Sequence, residues 1–218
     1  QAGNQLAGEL GDKAKFFRCD VASTASVNSS IDDVVNAFGR LDVLVNNAGI
    51  LGYTTVTETD DETWERIMGV NLTGAFRTSR KSIPLMLKSG SGVIINVASV
   101  QAFVTQEKVA PYTTSKTALL GLTRSIAVDY SPEIRCVAVC PGTIDTPMLR
   151  NALQESPDPE RVYQECVDMH LSGKVGDPAE VAELIFFLAS DKASFITGQA
   201  FRVDGGLGIR IGGSKQDV

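Results

Sequence analysis

Two hydrophobic rhythms alternate along the chain. Short runs of β-branched and aliphatic residues read as strands: KAKFFRCDV (13–21), LDVLVNN (41–47), GVIINVASV (92–100), EIRCVAVC (133–140) and QAFRVDGG (199–206). Between them, apolar residues recur at helical spacing. SVNSSIDDVVNAFG (26–39) aligns Val27, Ile31, Val34, Val35 and Phe38, then stops at Gly39. TDDETWERIMGVNLTGAFRTSRKSIPLMLKS (59–89) predicts one or two helices, capped by Thr59 or Asp60. PYTTSKTALLGLTRSIAVDY (111–130) predicts a long helix entered through proline, and DPAEVAELIFFLAS (177–190) another with proline near its first turn. Nearly continuous apolar strands separated by helices imply a parallel sheet covered on both faces, an α/β doubly wound architecture.

The whole-chain numbers narrow the function classes. With 218 residues, 43% of them hydrophobic, the chain is long enough for one large domain with a sizeable core. A net charge of −6 and no run of Lys or Arg speak against a nucleic-acid partner. No apolar stretch approaches the roughly 18 residues of a membrane span. The polar start QAGNQLAGELGD shows no signal peptide, so the expected location is cytoplasmic. Cys19, Cys136, Cys140 and Cys166 are scattered, and no metal site is expected. Cys136 and Cys140 share a strand face and read as buried free thiols. The single histidine, His170, lies in a polar segment, which argues against a Ser-His-Asp triad.

Ligands of such a sheet bind outside the carboxyl ends of its strands. The residues there are small, polar or glycine-bearing: Asp20-Val21, then NNAG (46–49), then Ser99, then PGTIDTP (141–147). Tyr112 and Lys116 follow Ser99 at helical i, i+4 spacing, so a phenol and an ammonium stand on one helix face.

Taken in order, NNAG, Asn71 in VNLTG, Ser99, Tyr112-x-x-x-Lys116, PGTIDT and VDGG (203–206) resemble the short-chain dehydrogenase/reductases over essentially the whole chain. SVQA (99–102), RCVAVCPGTIDTPMLR (135–150) and ASFITGQAFRVDGGLGIR (193–210) look most like aldohexose dehydrogenases of that family. The resemblance implies a Rossmann-type single domain. It also implies hydride transfer between a carbinol carbon and NAD or NADP, with Asn71, Ser99, Tyr112 and Lys116 as the catalytic set. In it, Ser99 orients the substrate oxygen and Asn71 anchors a water leading from Lys116 to solvent. Lys116 and Tyr112 meet the nicotinamide ribose. Asp20 and Val21 bracket the adenine, and Asn47, Ala48 and Gly49 the adenosine side. Pro141, Gly142 and Ile144, with the Thr146 hydroxyl, fix the carboxamide.

The family's opening strand and glycine-rich phosphate turn do not occur before residue 13, where Gly3, Gly8 and Gly11 are spread through a helical segment. By resemblance the chain starts near the end of the second helix and lacks about 40–50 residues, somewhat more than one βαβ unit of ~30. The segment that selects NAD or NADP is among them. A free tyrosine, with a pKa near 10, is a poor base at neutral pH. An ammonium about 5 Å away stabilises phenolate by roughly 3 kcal/mol, or about two pK units, at an effective dielectric of about 20. Lys116 is therefore expected to lower Tyr112.

Gln101 is placed to line the substrate pocket with Ser99 and Tyr112, and the polar, proline-interrupted segment 148–174 to cover it as a lid. The expected substrate is C1 of an aldose. A 3-oxoacyl thioester, another secondary alcohol, and a non-catalytic truncated fragment stand as alternatives, and Leu51 counts somewhat against a sugar. Phe76, Ile83, Leu85, Met86 and Leu87, with Leu119, Leu120, Leu122, Ile126 and Val128, spread more widely than one stripe per helix. Their second faces are expected to pair across a two-fold axis in a homotetramer or homodimer, with LGIRIGG (207–213) reaching an adjacent pocket.

Overall fold

The computed structural model describes residues 2–209. Its sheet consists of β1 (Val43–Asn46), β2 (Gly92–Val97), β3 (Ile134–Pro141) and β4 (Ala200–Val203), ordered 1-2-3-4 and parallel throughout. Asn46 lies opposite Asn96, Val97 opposite Val139, and Pro141 opposite Val203, so the carboxyl ends of the strands share one edge.

The connecting helices begin and end where their local chemistry dictates. After α1 (Ala2–Leu10), α2 (Thr24–Phe38) starts at Ser23, whose hydroxyl accepts from the Ser26 amide, and ends at Gly39 with φ 80°. The 59–89 stretch divides in two: α3 (Asp61–Met68), capped by Asp60 accepting from the Thr63 amide at 2.7 Å, and α4 (Gly74–Ser89). A single widened π-turn, Gly69–Thr73, joins them. α5 (Ala110–Tyr130) carries Pro111 in its first turn. Two helices, α6 (Pro147–Gln154) and α7 (Pro159–Met169), form within 148–174, and α8 (Pro178–Ala189) opens on a reciprocal Asp177–Glu180 capping box.

Strand alternation sorts the core into two layers. Ile94, Cys136, Ala138 and Cys140 point toward α4 and α5, where they meet Ile83, Met86, Leu119, Leu120 and Ile126. Ile95, Val137 and Val139 point the other way, onto Val181 and Leu188 of α8. Helices on both faces make the sheet doubly wound, as the apolar strands imply. Both strand cysteines are fully buried free thiols, and burial pushes Cys136 up to about 12 and Cys140 up to about 11.

Residues 13–21 depart from the expected strand. A turn at Gly11–Lys13 is followed by extended chain without a ladder, and Phe16 lies against Gly3 of α1. A strand needs a neighbour for its backbone groups. Among the described residues nothing pairs with the outer edge of β1, where Val43 and Val45 are 37% and 38% exposed.

A buried polar ladder crosses the sheet beneath the carboxyl edge. Thr78 donates to Asn46 Oδ1 at 2.6 Å, Asn46 Nδ2 to Asn96 Oδ1 at 2.8 Å, and Asn96 Nδ2 to Thr123 Oγ1 at 2.9 Å. It pins α4 and α5 to adjacent strands. Asn96→Ala leaves the Asn46 amide and the Thr123 hydroxyl short of partners, an expected loss of about 2 kcal/mol. A denaturant midpoint equal to that of the parent would contradict this.

Candidate active site

Where β1, β2 and β3 end, the chain surrounds a cavity of about 900 Å³. β2 delivers Ser99 directly, two residues past Val97. The proline at the head of α5 sets the helix so that its first two turns face the same space, bringing Tyr112 and Lys116 to the cavity wall while Leu119 and Leu120 anchor the helix in the core. Lys116 is 3% exposed and donates to the Val97 carbonyl at 2.8 Å, with its ammonium 5.7 Å from the centre of the Tyr112 ring. The Gln101 amide donates to Ser99 Oγ at 3.1 Å, and the Gln101 side chain accepts from Thr113 of α5. Ser99, Gln101, Tyr112 and Lys116 thus line one cavity.

Of the residues expected to hold a cofactor, Asn47 and Gly49 line one side and Pro141, Gly142, Ile144 and Thr146 the other. Asp20, Val21 and Ala48 lie outside the cavity. Asp20 closes a turn by accepting from the Ala22 amide, and the Val21 carbonyl accepts from Arg77. Asn71 sits just beneath, on the π-turn and fully buried. Its Oδ1 accepts from the Ile50 amide at 2.8 Å, and its Nδ2 donates to the Ile50 carbonyl and to Ser115 Oγ, both at 3.0 Å. A side chain at Gly49 would place its first carbon 3.3 Å from Lys116 Nζ and 3.6 Å from Asn71 Oδ1, so glycine keeps that approach open.

The electrostatics differ from the expectation at Tyr112. Burial dominates and raises the phenol above its ordinary value; hydrogen bonding from Ser99 opposes this, while the phenol of Tyr53 adds to the rise. Lys116 pays for the same burial: its pKa falls to about 8, which leaves it an ammonium at neutral pH. The phenol is therefore a proton donor in this arrangement, and it acts as a base only with further positive charge beside it.

Two contributors were not apparent from spacing. Tyr53, six residues past Asn47, lines the cavity. His170 is 4% exposed and reaches back to the 141–146 loop. Its one available sequence signal was that it is the chain's only histidine. Among the described residues no group of three or more His, Cys, Asp or Glu side chains could hold a metal, and no helix is long and apolar enough to cross a membrane.

Comparison with known proteins agrees with this geometry. Residues 1–208 match the family model described as enoyl-(acyl carrier protein) reductase. A ligand-free aldohexose dehydrogenase from Thermoplasma acidophilum superposes with a TM-score of 0.89 at 43% identity, covering 94% of this chain and 84% of that one. The 2-(R)-hydroxypropyl-CoM dehydrogenase of Xanthobacter autotrophicus is 41% identical over 198 residues, 89% of this chain and 78% of the relative. A 3-alpha-(or 20-beta)-hydroxysteroid dehydrogenase of Mycobacterium tuberculosis is 38% identical over 207 residues, 94% of this chain and 75% of the relative.

Proposed function

The chain belongs to the short-chain dehydrogenase/reductase family of oxidoreductases, and from that premise we propose that it transfers a hydride between nicotinamide and the carbinol carbon of an uncharged alcohol. The observation that carries this reading is the convergence of Ser99, Tyr112 and Lys116 with the 141–146 loop around one cavity.

The nicotinamide end of NAD or NADP fits the residues present. Gly49 leaves the Lys116 ammonium open on one side, and the Thr146 hydroxyl, which makes no capping bond to α6, donates to the Ile144 carbonyl at 3.3 Å and keeps its oxygen open as an acceptor. When bound there, NAD(P) supplies the hydride acceptor and a positively charged ring. Lys116 and Tyr112 meet its ribose, and Pro141, Gly142, Ile144 and Thr146 its carboxamide. Asn47, Ala48 and Gly49 serve the adenosine side, and Asp20 and Val21 the adenine. Tyr112 exchanges the substrate proton while Ser99 orients the oxygen and Gln101 flanks it. Asn71 uses both amide hydrogens within the protein, so its part in a proton route is confined to the second lone pair of Oδ1. The segment 148–174 serves as the lid.

Lys116 is the sole charged side chain lining the cavity among the described residues, which supports a neutral substrate over one carrying carboxylate or phosphate into the site. C1 of an aldose is the reading favoured by the likeness to the aldohexose dehydrogenase. Leu51, Tyr53, Met148, Leu149 and Met169 favour a second reading, a secondary alcohol with an apolar body. Initial rates with NAD and NADP on aldohexoses, apolar secondary alcohols and a 3-oxoacyl thioester decide between them. Activity confined to the thioester would overturn the neutral-carbinol reading.

The surface of α4 and α5 supports the proposal of a second copy. A groove between α4 and α5 is bordered by Phe76, Ile83, Leu87, Leu122 and Tyr130, with Val128 beyond it 81% exposed. Arg80 on one bank and Asp129 on the other could pair reciprocally across a two-fold axis. The sequence expected LGIRIGG to reach a neighbouring pocket; most of that segment lies outside the described residues. Sedimentation at micromolar concentration should give a dimer or tetramer; an active monomer would refute the pairing.

A further inference from the structure

The only histidine joins two parts of the site that are otherwise distant in sequence. It caps the C-terminal end of α7, whose Cys166 and Met169 line the cavity. Its Nε2 accepts the Thr143 amide at 3.1 Å, and its Nδ1 faces the Cys166 carbonyl at 2.5 Å. Those two partners fix the tautomer: the ring hydrogen is on Nδ1, donated to Cys166, and Nε2 is the acceptor.

Thr143 lies in the loop whose neighbours Gly142, Ile144 and Thr146 line the cavity. Gly142 permits the approach, because a side chain there would set its first carbon 2.8 Å from His170 Nε2 and 2.9 Å from the Asp204 backbone. The same loop is held by the Gly142 amide to the Val203 carbonyl, the Gly176 amide to the Thr143 carbonyl, and the Asp145 amide to the Gly176 carbonyl. All of these bonds are made by backbone. His170 adds α7 to the clamp through the Thr143 amide, and the Cys166 thiol of α7 hydrogen-bonds the Thr143 side chain beside it.

We propose that His170 is a positioning residue, coupling the placement of α7 over the substrate cavity to the shape of the nicotinamide-facing loop 141–146, and that protonation of its ring uncouples them. This rests on the function proposed above. A protonated imidazole has a hydrogen on both nitrogens, so Nε2 would then point a donor at the Thr143 donor. The titratable and charged groups facing the ring are few. Asp204, on the far side of Gly142, is ion-paired with Arg202, and Cys166 contributes a thiol from α7 itself. With its carboxylate engaged by Arg202 and by the Gly206 amide, Asp204 is not positioned to replace the lost acceptor.

The test compares the parent with His170→Gln, whose amide oxygen can accept from Thr143 but does not titrate, and with His170→Leu, which offers no acceptor. NADH and NADPH binding is followed by fluorescence between pH 5.5 and 8, and hydrogen exchange over residues 141–146 is measured without cofactor, corrected for intrinsic exchange. Cofactor affinity of the parent should fall about tenfold at the acid end of this range. His170→Gln should keep most of the neutral-pH affinity and lose the pH dependence; His170→Leu should bind about tenfold more weakly at every pH. Protection at Thr143 should be lost in His170→Leu and in the acidic parent, and retained in His170→Gln. If His170→Leu does not fold, the contrast between the parent and His170→Gln decides alone. Thr143 protection independent of pH and the same in parent and His170→Gln overturns the proposal. Protection that responds as described, with no cofactor bound by any form, upholds the coupling and refutes the dehydrogenase reading instead.

Discussion

Replacing Tyr112 with phenylalanine should lower turnover by about 10³-fold, inside the 10²–10⁴ range of positioned acid–base groups, while cofactor affinity changes no more than a few-fold. The ring stays, so the packing at the head of α5 is retained, and only the hydroxyl that exchanges the substrate proton is lost. Ser99 cannot take over that proton transfer, because an isolated serine hydroxyl is too weak an acid and its oxygen already accepts from the Gln101 amide. Cofactor binding draws on many other groups around the cavity. Stopped-flow or steady-state rates beside a fluorescence titration check both halves. Retention of more than about a tenth of kcat would remove Tyr112 from the reaction.

Lys116→Ala should fail differently. It should weaken cofactor binding and also move the pH profile. Burial lowers Lys116 to about 8, so the ammonium is present below that pH and fades above it. A buried amine held at such a disadvantage, bonded among the described residues only to the Val97 carbonyl, is a mark of a functional site rather than of a stabilising one. Measured as carbonyl reduction, activity should fall as Tyr112 loses its proton. Burial raises Tyr112 above its ordinary value, so as pH rises the Lys116 ammonium is lost before the phenol titrates. The descending limb of the parent should therefore include a fall near pH 8, where the ammonium that assists the phenol discharges, and Lys116→Ala should lack it. An unchanged limb with weaker cofactor binding would restrict Lys116 to holding ribose.

Apolar periodicity was enough to place β1 to β4, α2, α4, α5 and α8, since each buries a stripe or a face whose spacing is visible in the chain. It misplaced 13–21, because β-branched and aromatic content describes a willingness to pair and says nothing of whether a neighbour is available. The helices within 148–174 were hidden by their polarity: α6 and α7 bury no residue fully, so no stripe announces them. In the site, the Tyr112–Lys116 pair and Ser99 were legible because helical spacing and strand ends are local properties. Their electrostatics were not. Whether Tyr112 is raised or lowered depends on how completely it is buried, which only the packed structure determines. The Asn46–Asn96 rung and the His170–Thr143 bond join residues far apart in sequence, and no local pattern carries such pairs.

The order of the sheet also bears on how the chain reaches this structure. Each strand pairs in parallel with the next, and every parallel pair must wait for an intervening helical connection to close. Among the described residues no hairpin offers an inexpensive first contact. Topologies dominated by such distant pairings fold slowly, on the scale of milliseconds to seconds or longer, with strand edges and apolar faces exposed meanwhile. β3, the longest strand and, like β2, flanked on both sides, gains the most from early docking of α5, its immediate predecessor in the chain. Refolding yield should accordingly fall as protein concentration rises, the signature of chains that find one another before β1 and β4 find their places.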